Sequence, residues 1–220
     1  MRAGVFGGTF NPIHKGHLKV AELALQRFCL DRLYLVPCRV PPHKASESLA
    51  PTDHRMRMLR LALPDDGRLH ASDVEIRRDG PSYTIDTVMD FKERIVPGAD
   101  LYLVMGLDAF LDIHTWKHYR RLLKIVQPVV VNRRVADASA EAAAARMDDY
   151  IRARLSSDYR LSDDRRSWRR SGGRCIHLVQ TAPVDISSTQ IRELIRNGAT
   201  AADLVPSPVW GYIEQEELYR

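Results

Sequence analysis

The stretch Gly7-Gly8-Thr9-Phe10-Asn11-Pro12-Ile13-His14-Lys15-Gly16-His17 constrains this chain more than any other. In front of it Ala3 to Phe6 form a short apolar run, which predicts a buried strand. Behind it Leu18, Ala21, Leu25 and Phe28 recur at helical spacing, with Val20, Leu23 and Ala24 widening the apolar face. Strand, glycine turn and helix start in that order is the opening unit of an open α/β sheet. In such sheets ligands sit outside the carboxyl ends of the strands.

The residue types suit an anion. Gly7 and Gly8 carry no Cβ, so backbone N–H groups can approach a phosphate. The first N–H groups of the helix add a partial positive charge. His14 and His17 are three apart, so one helical turn places them on one face, with Gly16 between them allowing close approach. Imidazoles donate hydrogen bonds to phosphate oxygens and take a proton when the ligand favours it. The plain alternative is a glycine turn with two surface histidines. Two histidines alone are too few for a zinc site, and no resident metal is expected.

The stretch resembles the signature of the nucleotidyltransferases with the His-x-Gly-His motif. Its longer form, Gly-Gly-Thr-Phe-Asn-Pro-Ile-His, is similar to that of the bacterial nicotinate-nucleotide adenylyltransferases. These enzymes join a pyridine mononucleotide to the adenylyl part of ATP and release pyrophosphate. The resemblance implies that Gly7, Gly8, Thr9, Phe10, His14 and His17 face ATP, and that Gly8 also touches the mononucleotide.

With 220 residues, 45% hydrophobic and 28% charged, the chain has ordinary globular composition and is expected to form one domain, 1-220. A net charge of +5 favours polyanionic ligands without choosing between nucleotides and nucleic acid. Cys29, Cys38 and Cys175 form no C-x-x-C pair, which suits a reducing compartment. Met1-Arg2 runs straight into the first strand, so no signal peptide is expected. No apolar run approaches the ~20 residues of a membrane span. A cytoplasmic protein with no membrane partner is the expectation.

Leu33 to Val36 predicts a second strand. Pro37-Cys38-Arg39-Val40-Pro41-Pro42-His43-Lys44 then reads as an extended loop leaving the same sheet edge as His14. Lys44 is either a solvated lysine or a phosphate ligand, and the resemblance, through Pro-Pro-His-Lys, implies the second. Asp53 is expected to cap a helix through Met56, Leu59, Leu61 and Leu63, stopped by Pro64. Val74 and Ile76 alternate with charges like a short strand. Thr84 is expected to cap a helix from about Ile85 to Ile95, and the resemblance sets Ser82-Tyr83-Thr84 against the pyridine.

Asp100 to Met105 predicts a third buried strand, running into Gly106-Leu107-Asp108. A carboxylate there can hold ribose hydroxyls or cap a helix. Trp116 reads equally as core or as a stacking indole, and the resemblance implies that Trp116 and Lys117 hold the pyridine. Val126 to Val131 predicts a fourth strand. From about 136 to 173 the composition turns alanine-rich and then dense in Arg, Asp and Ser, which predicts a charged, partly mobile surface insertion, expendable for chemistry. Ile176 to Val179 returns to strand character. Ile186-Ser187-Ser188-Thr189-Gln190-Ile191-Arg192 opens a helix, capped by Ser187 or Ser188, ending at Asn197-Gly198.

Ile-Ser-Ser-Thr-x-Ile-Arg resembles the second signature of the same family. It implies that Ile186, Ser187, Ser188 and Arg192 face ATP. The expected fold is a doubly wound, mostly parallel, Rossmann-like α/β sheet. The implied reaction is attack by the phosphate of nicotinate mononucleotide on the α-phosphorus of ATP. Magnesium is expected to come with ATP. His14, His17, Lys44 and Arg192 are the implied catalytic set, and Gly106 and Asp108 the implied ribose ligands. The chain shows neither G-x-S-x-G nor a P-loop pattern. Two rivals are a sister enzyme acting on phosphopantetheine and a nucleic-acid-binding module using the basic surface. The sequence leaves the oligomeric state open, a homo-oligomer included.

Overall fold

The structure is a computed structural model that describes residues 1–40, 49–64, 67–132, 140–181 and 186–220. Eight strands form one sheet: β1 Arg2–Gly8, β2 Arg32–Pro37, β3 Leu69–Ala71, β4 Asp100–Gly106, β5 Val126–Asn132, β6 Arg160–Leu161, β7 Ser167–Arg169 and β8 Ile176–Gln180. Their order is β3-β2-β1-β4-β5-β8-β7-β6. The first six in that order pair in parallel, and β6 and β7 add antiparallel. The helices are α1 Lys15–Arg27, α2 Thr52–Ala62, α3 Thr84–Asp90, α4 Leu107–Leu111, α5 Tyr119–Ile125, α6 Ala140–Tyr150, α7 Ser188–Arg196 and α8 Ser207–Gln215. α3 and α6 each run on through one wider turn, at Phe91–Ile95 and Ile151–Leu155.

Strand periodicity builds a core on each face of the sheet. Along β4, Leu101, Leu103 and Met105 join one apolar cluster and Tyr102 and Val104 the other. A strand buried on both sides is apolar at nearly every position, which is why the centres of β1, β2, β4 and β5 read as hydrophobic runs. Helices α3 and α6 contribute to the first cluster, and α1, α2, α7 and α8 to the second. At Gly4 a Cβ would lie 2.6 Å from Leu33 Cδ1 and 2.8 Å from Leu30 Cδ1, so this glycine serves packing.

The chain winds outward from β1 through β2 to β3, then returns to β4 on the other side of β1 and winds away again. The crevice between β1 and β4, at their carboxyl ends, is therefore the topological switch point. Gly7 and Gly8 end one of these strands and Gly106 ends the other.

Three expectations change. Val74 and Ile76 are not in a strand. They lie in a helical turn closed by Arg77 N–H to Asp73 O and Arg78 N–H to Glu75 O. The turn sends Val74 to one core and Ile76 to the other, while the buried Glu75 accepts a 2.6 Å hydrogen bond from Thr87 Oγ1. Asp53 does not cap α2, because Pro51 is the capping residue. Asp53 lies inside the first turn, where its charge suits the positive end of the helix.

The third change concerns the segment expected as a surface insertion. Its first half is α6, as its alanines predict, but its second half is part of the sheet. β6 pairs with β7 and β7 with β8, in the register Trp168↔Ile176. Trp168 is 0% exposed and Tyr159 is 2% exposed. A hairpin facing the core on one side needs only alternate apolar residues, so a high charge density does not exclude burial. Replacing the segment with a linker would remove both aromatics from the core, so it contributes to the stability of the fold. Trp168 Nε1 donates to Asp148 Oδ1 at 2.9 Å. Trp168→Phe, which loses that bond and part of the ring volume, should destabilise by about 2 kcal/mol. Thermal unfolding should then shift down by about 4–8 °C, and an unchanged midpoint would contradict the burial.

Candidate active site

The loop after β1 is built for an open face above a packed floor. A Cβ on Gly7 would meet nothing within 4 Å, while one on Gly8 would touch the Phe10 ring at 3.1 Å. Phe10 takes a left-handed backbone angle, φ 45°, and turns its ring down beside Phe6 and His17. At 1% exposure that ring is core, so only the backbone of Phe10 is available to a ligand. Thr9 is half-buried, and its carbonyl accepts from Arg55 Nη1 at 2.9 Å.

His14 caps α1 in extended conformation and His17 occupies its third helical position. Their rings stack at 3.7 Å, inclined by 28°. The backbone N–H of His14 donates to Nδ1 of His17 at 3.3 Å. This bond assigns the hydrogen of the neutral His17 ring to Nε2 and makes that nitrogen a donor. The sequence spacing thus brings the two imidazoles together, though by stacking rather than as successive residues along one helix face.

The start of α7 forms a second wall. Ser187 caps the helix, accepting from Gln190 N–H at 3.1 Å, which settles the choice between the two serines. Ser188 instead donates to Pro12 O at 2.9 Å. Arg192 Nη1 donates to Asn11 O at 2.9 Å and Nη2 to Thr189 Oγ1 at 3.4 Å. Arg192 Nε is buried and has no hydrogen-bond partner among the described residues. Ile186 packs on the second core just before the cap. Ser188 and Arg192 therefore meet the loop that carries His14, although the two motifs stand far apart in the chain.

Across the crevice, Gly106 caps α4 and Asp108 is exposed in its first turn. Asp108 is thus not the cap, and its carboxylate lies at the carboxyl end of β4, beside the switch point.

Thr84, Trp116 and Lys117 form a third group. Tyr83, not Thr84, caps α3, and Thr84 is its first helical residue. Lys117 Nζ pairs with Asp86 Oδ2 at 3.1 Å and lies 4.4 Å above the centre of the Tyr83 ring. Trp116 is half-buried against the first core. Ser82 ties this corner to the loop after β2, its Oγ accepting from Arg39 N–H at 3.0 Å. Lys44 lies outside the described residues.

Two residues of this region escape motif reasoning. Arg55 is 1% exposed and donates to the carbonyls of Ala50 and Thr9. Its signal is positional, since it shares a helix face with the buried Leu59 and Ala62. Asp86 is the other, an acid in the first turn of α3 that holds Lys117. No group of three or more His, Cys, Asp or Glu able to hold a metal occurs among the described residues.

Comparison with known proteins gives the family and the fold. The cytidylyltransferase-like family model matches residues 5–194. A protein of Desulfatibacillum aliphaticivorans named "Probable nicotinate-nucleotide adenylyltransferase" is 39% identical over 220 residues, covering 100% of both chains. A protein of the same name from Pelobacter propionicus is 36% identical, covering 100% of this chain and 98% of its own. Among solved structures, the Plasmodium falciparum nicotinic acid mononucleotide adenylyltransferase complexed with NaAD superposes with a TM-score of 0.72. It is 17% identical and is matched over 99% of this chain and 97% of that one, which is a likeness of fold.

Proposed function

The chain belongs to the cytidylyltransferase-like family, in the nicotinate-nucleotide adenylyltransferase branch, and on that premise we infer that it makes nicotinate adenine dinucleotide in NAD biosynthesis. ATP and nicotinate mononucleotide are its substrates and pyrophosphate its second product. The observation that carries this reading is the gathering of the stacked histidines, the Gly7-Gly8 backbone and Arg192 at the switch point, with Arg192 Nη1 bonded to the loop that carries His14.

A phosphate oxygen of the mononucleotide attacks the α-phosphorus of ATP. A new P–O bond forms, the bond from the α-phosphorus to the bridging oxygen breaks, and pyrophosphate leaves. The nucleophile is already an anion, so no general base is required. The residues act by positioning and by stabilising charge in the transition state. His14 and His17 serve the α-phosphate region, with Nε2–H of His17 as a donor to its oxygens. Arg192, and Lys44 by resemblance, hold the departing phosphates. Gly7, Gly8, Thr9 and Phe10 present backbone groups, and Gly8 also meets the mononucleotide. Ile186, Ser187 and Ser188 shape the adenine nucleotide side, Gly106 and Asp108 take the adenylate ribose, and Thr84, Trp116 and Lys117 take the pyridine. Enzymes of this family typically use a divalent metal, here assigned as magnesium arriving with the triphosphate.

This reading places the protein in the cytoplasm and gives nucleic acid and membranes no part. Among the described residues no helix is long and apolar enough to cross a membrane. Pyrophosphate release should be measured with ATP, magnesium and a panel of acceptor phosphates. Nicotinate mononucleotide should support release with stoichiometric dinucleotide. Release only with phosphopantetheine, or salt-dependent RNA or DNA binding without release, would overturn the reading.

A further inference from the structure

The loop that carries His14 is held through its own Asn11 by Tyr219, a residue that no motif contains. Asn11 is 2% exposed. Its Oδ1 accepts from Ala50 N–H at 3.0 Å and from the Tyr219 hydroxyl at 2.9 Å. A backbone N–H can only donate, so the amide is oriented with its oxygen toward both groups. The carbonyl of the same Asn11 accepts from Arg192 Nη1. One residue of the loop therefore joins Tyr219 on one side to Arg192 on the other.

Tyr219 reaches this position by an unusual backbone path. After α8, Leu218 N–H closes onto Ile213 O, and Glu217 and Tyr219 both take left-handed angles, φ 49° and 68°. Side-chain-bearing residues rarely adopt this region, and two within three positions need compensating contacts. Leu218 and Tyr219 pack on the second core, and the phenol is directed to Asn11. Burial pushes the phenol well above its usual range, against the opposing fields of Arg192 and Arg55. It stays protonated, hence a donor, throughout the range in which the enzyme would be assayed.

We propose that Tyr219 is a positioning residue for adenylyl transfer: its hydroxyl fixes Asn11, and Asn11 fixes the loop between Phe10 and His14 against Arg192, so that the triphosphate meets a preformed cradle. This rests on the adenylyltransferase reading. The bond acts on the ATP side of the site and not on the corner formed by Thr84, Trp116 and Lys117.

Tyr219→Phe tests this, since it keeps the ring packing and removes only the hydroxyl. A single neutral hydrogen bond is worth about five- to tenfold. The KM for ATP should rise by about that factor, with the KM for nicotinate mononucleotide within about twofold of wild type. Asn11→Ala should raise the KM for ATP as well, and adding Tyr219→Phe to it should cost little more, because both remove one link. Unchanged ATP kinetics in Tyr219→Phe would overturn the proposal. So would parallel changes in both KM values together with a large fall in melting temperature, which is the mark of a purely structural contact. If wild-type protein itself forms no dinucleotide, the failure belongs to the proposed function. If wild type is active and Tyr219→Phe matches it, only the positioning role fails.

Discussion

Replacing His17 by alanine is expected to lower kcat by about 10²-fold or more while leaving the KM for ATP within a few-fold. The reason lies in the polarity of its ring. Nδ1 is committed to the backbone N–H of His14, which fixes the ring and leaves Nε2 as the donor. Stacking on His14 at 3.7 Å and edge contact with Phe10 at 5.0 Å hold the plane of the ring. A donor held in place before reaction loses little in reorganisation as negative charge grows on the α-phosphate oxygens. Interactions that strengthen only in the transition state appear in kcat. His17→Asn is informative beside it, since a side-chain amide can restore a donor. Steady-state kinetics with saturating nicotinate mononucleotide separates the two constants. A variant with wild-type kcat and only a raised KM for ATP would assign His17 to ground-state binding.

Much of the central sheet can be read from the sequence because its strands are buried on both faces. Ala3 to Phe6, Leu33 to Val36, Asp100 to Met105 and Val126 to Val131 are mostly apolar runs, and all four are strands. The glycine turn and the later Ser-Ser helix start are likewise legible as local chemistry. Their meeting is not, because the bonds Arg192 to Asn11 and Ser188 to Pro12 link distant segments and leave no spacing to count.

The hairpin of β6 and β7 is hidden for a different reason. With one face outward it is half charged, and its three large apolar residues look too few until Trp168 and Tyr159 are seen to lie in the core, with Leu161 packed against it. Helix α8 is obscure because a proline lies in its first turn, Gly211 lies within it, and only Val209 and Ile213 are buried. The same helix leads to Tyr219, whose role rests on a single hydroxyl contact across the fold.

The central claim is that the acceptor is nicotinate mononucleotide. It and the nicotinamide form differ by a carboxylate against a neutral amide. The corner proposed for the pyridine contains the ammonium of Lys117, 4.4 Å from the centre of the Tyr83 ring, and the first N–H groups of α3. The N–H groups favour an anion, while Lys117 shares its charge with Asp86. The nearby acid, Asp86, is engaged by Lys117 at 3.1 Å, so an amide NH₂ would have to compete with that ion pair for an acceptor. A site built around a polar partner can reject the analogue lacking it by several kcal/mol, on the order of 10³-fold or more. The most direct measurement is kcat/KM for the two mononucleotides in one preparation, with ATP and magnesium at fixed concentration and the dinucleotide product quantified. The account predicts that nicotinate mononucleotide is preferred by about 10³-fold. Equal values, or a preference for the amide, would contradict it.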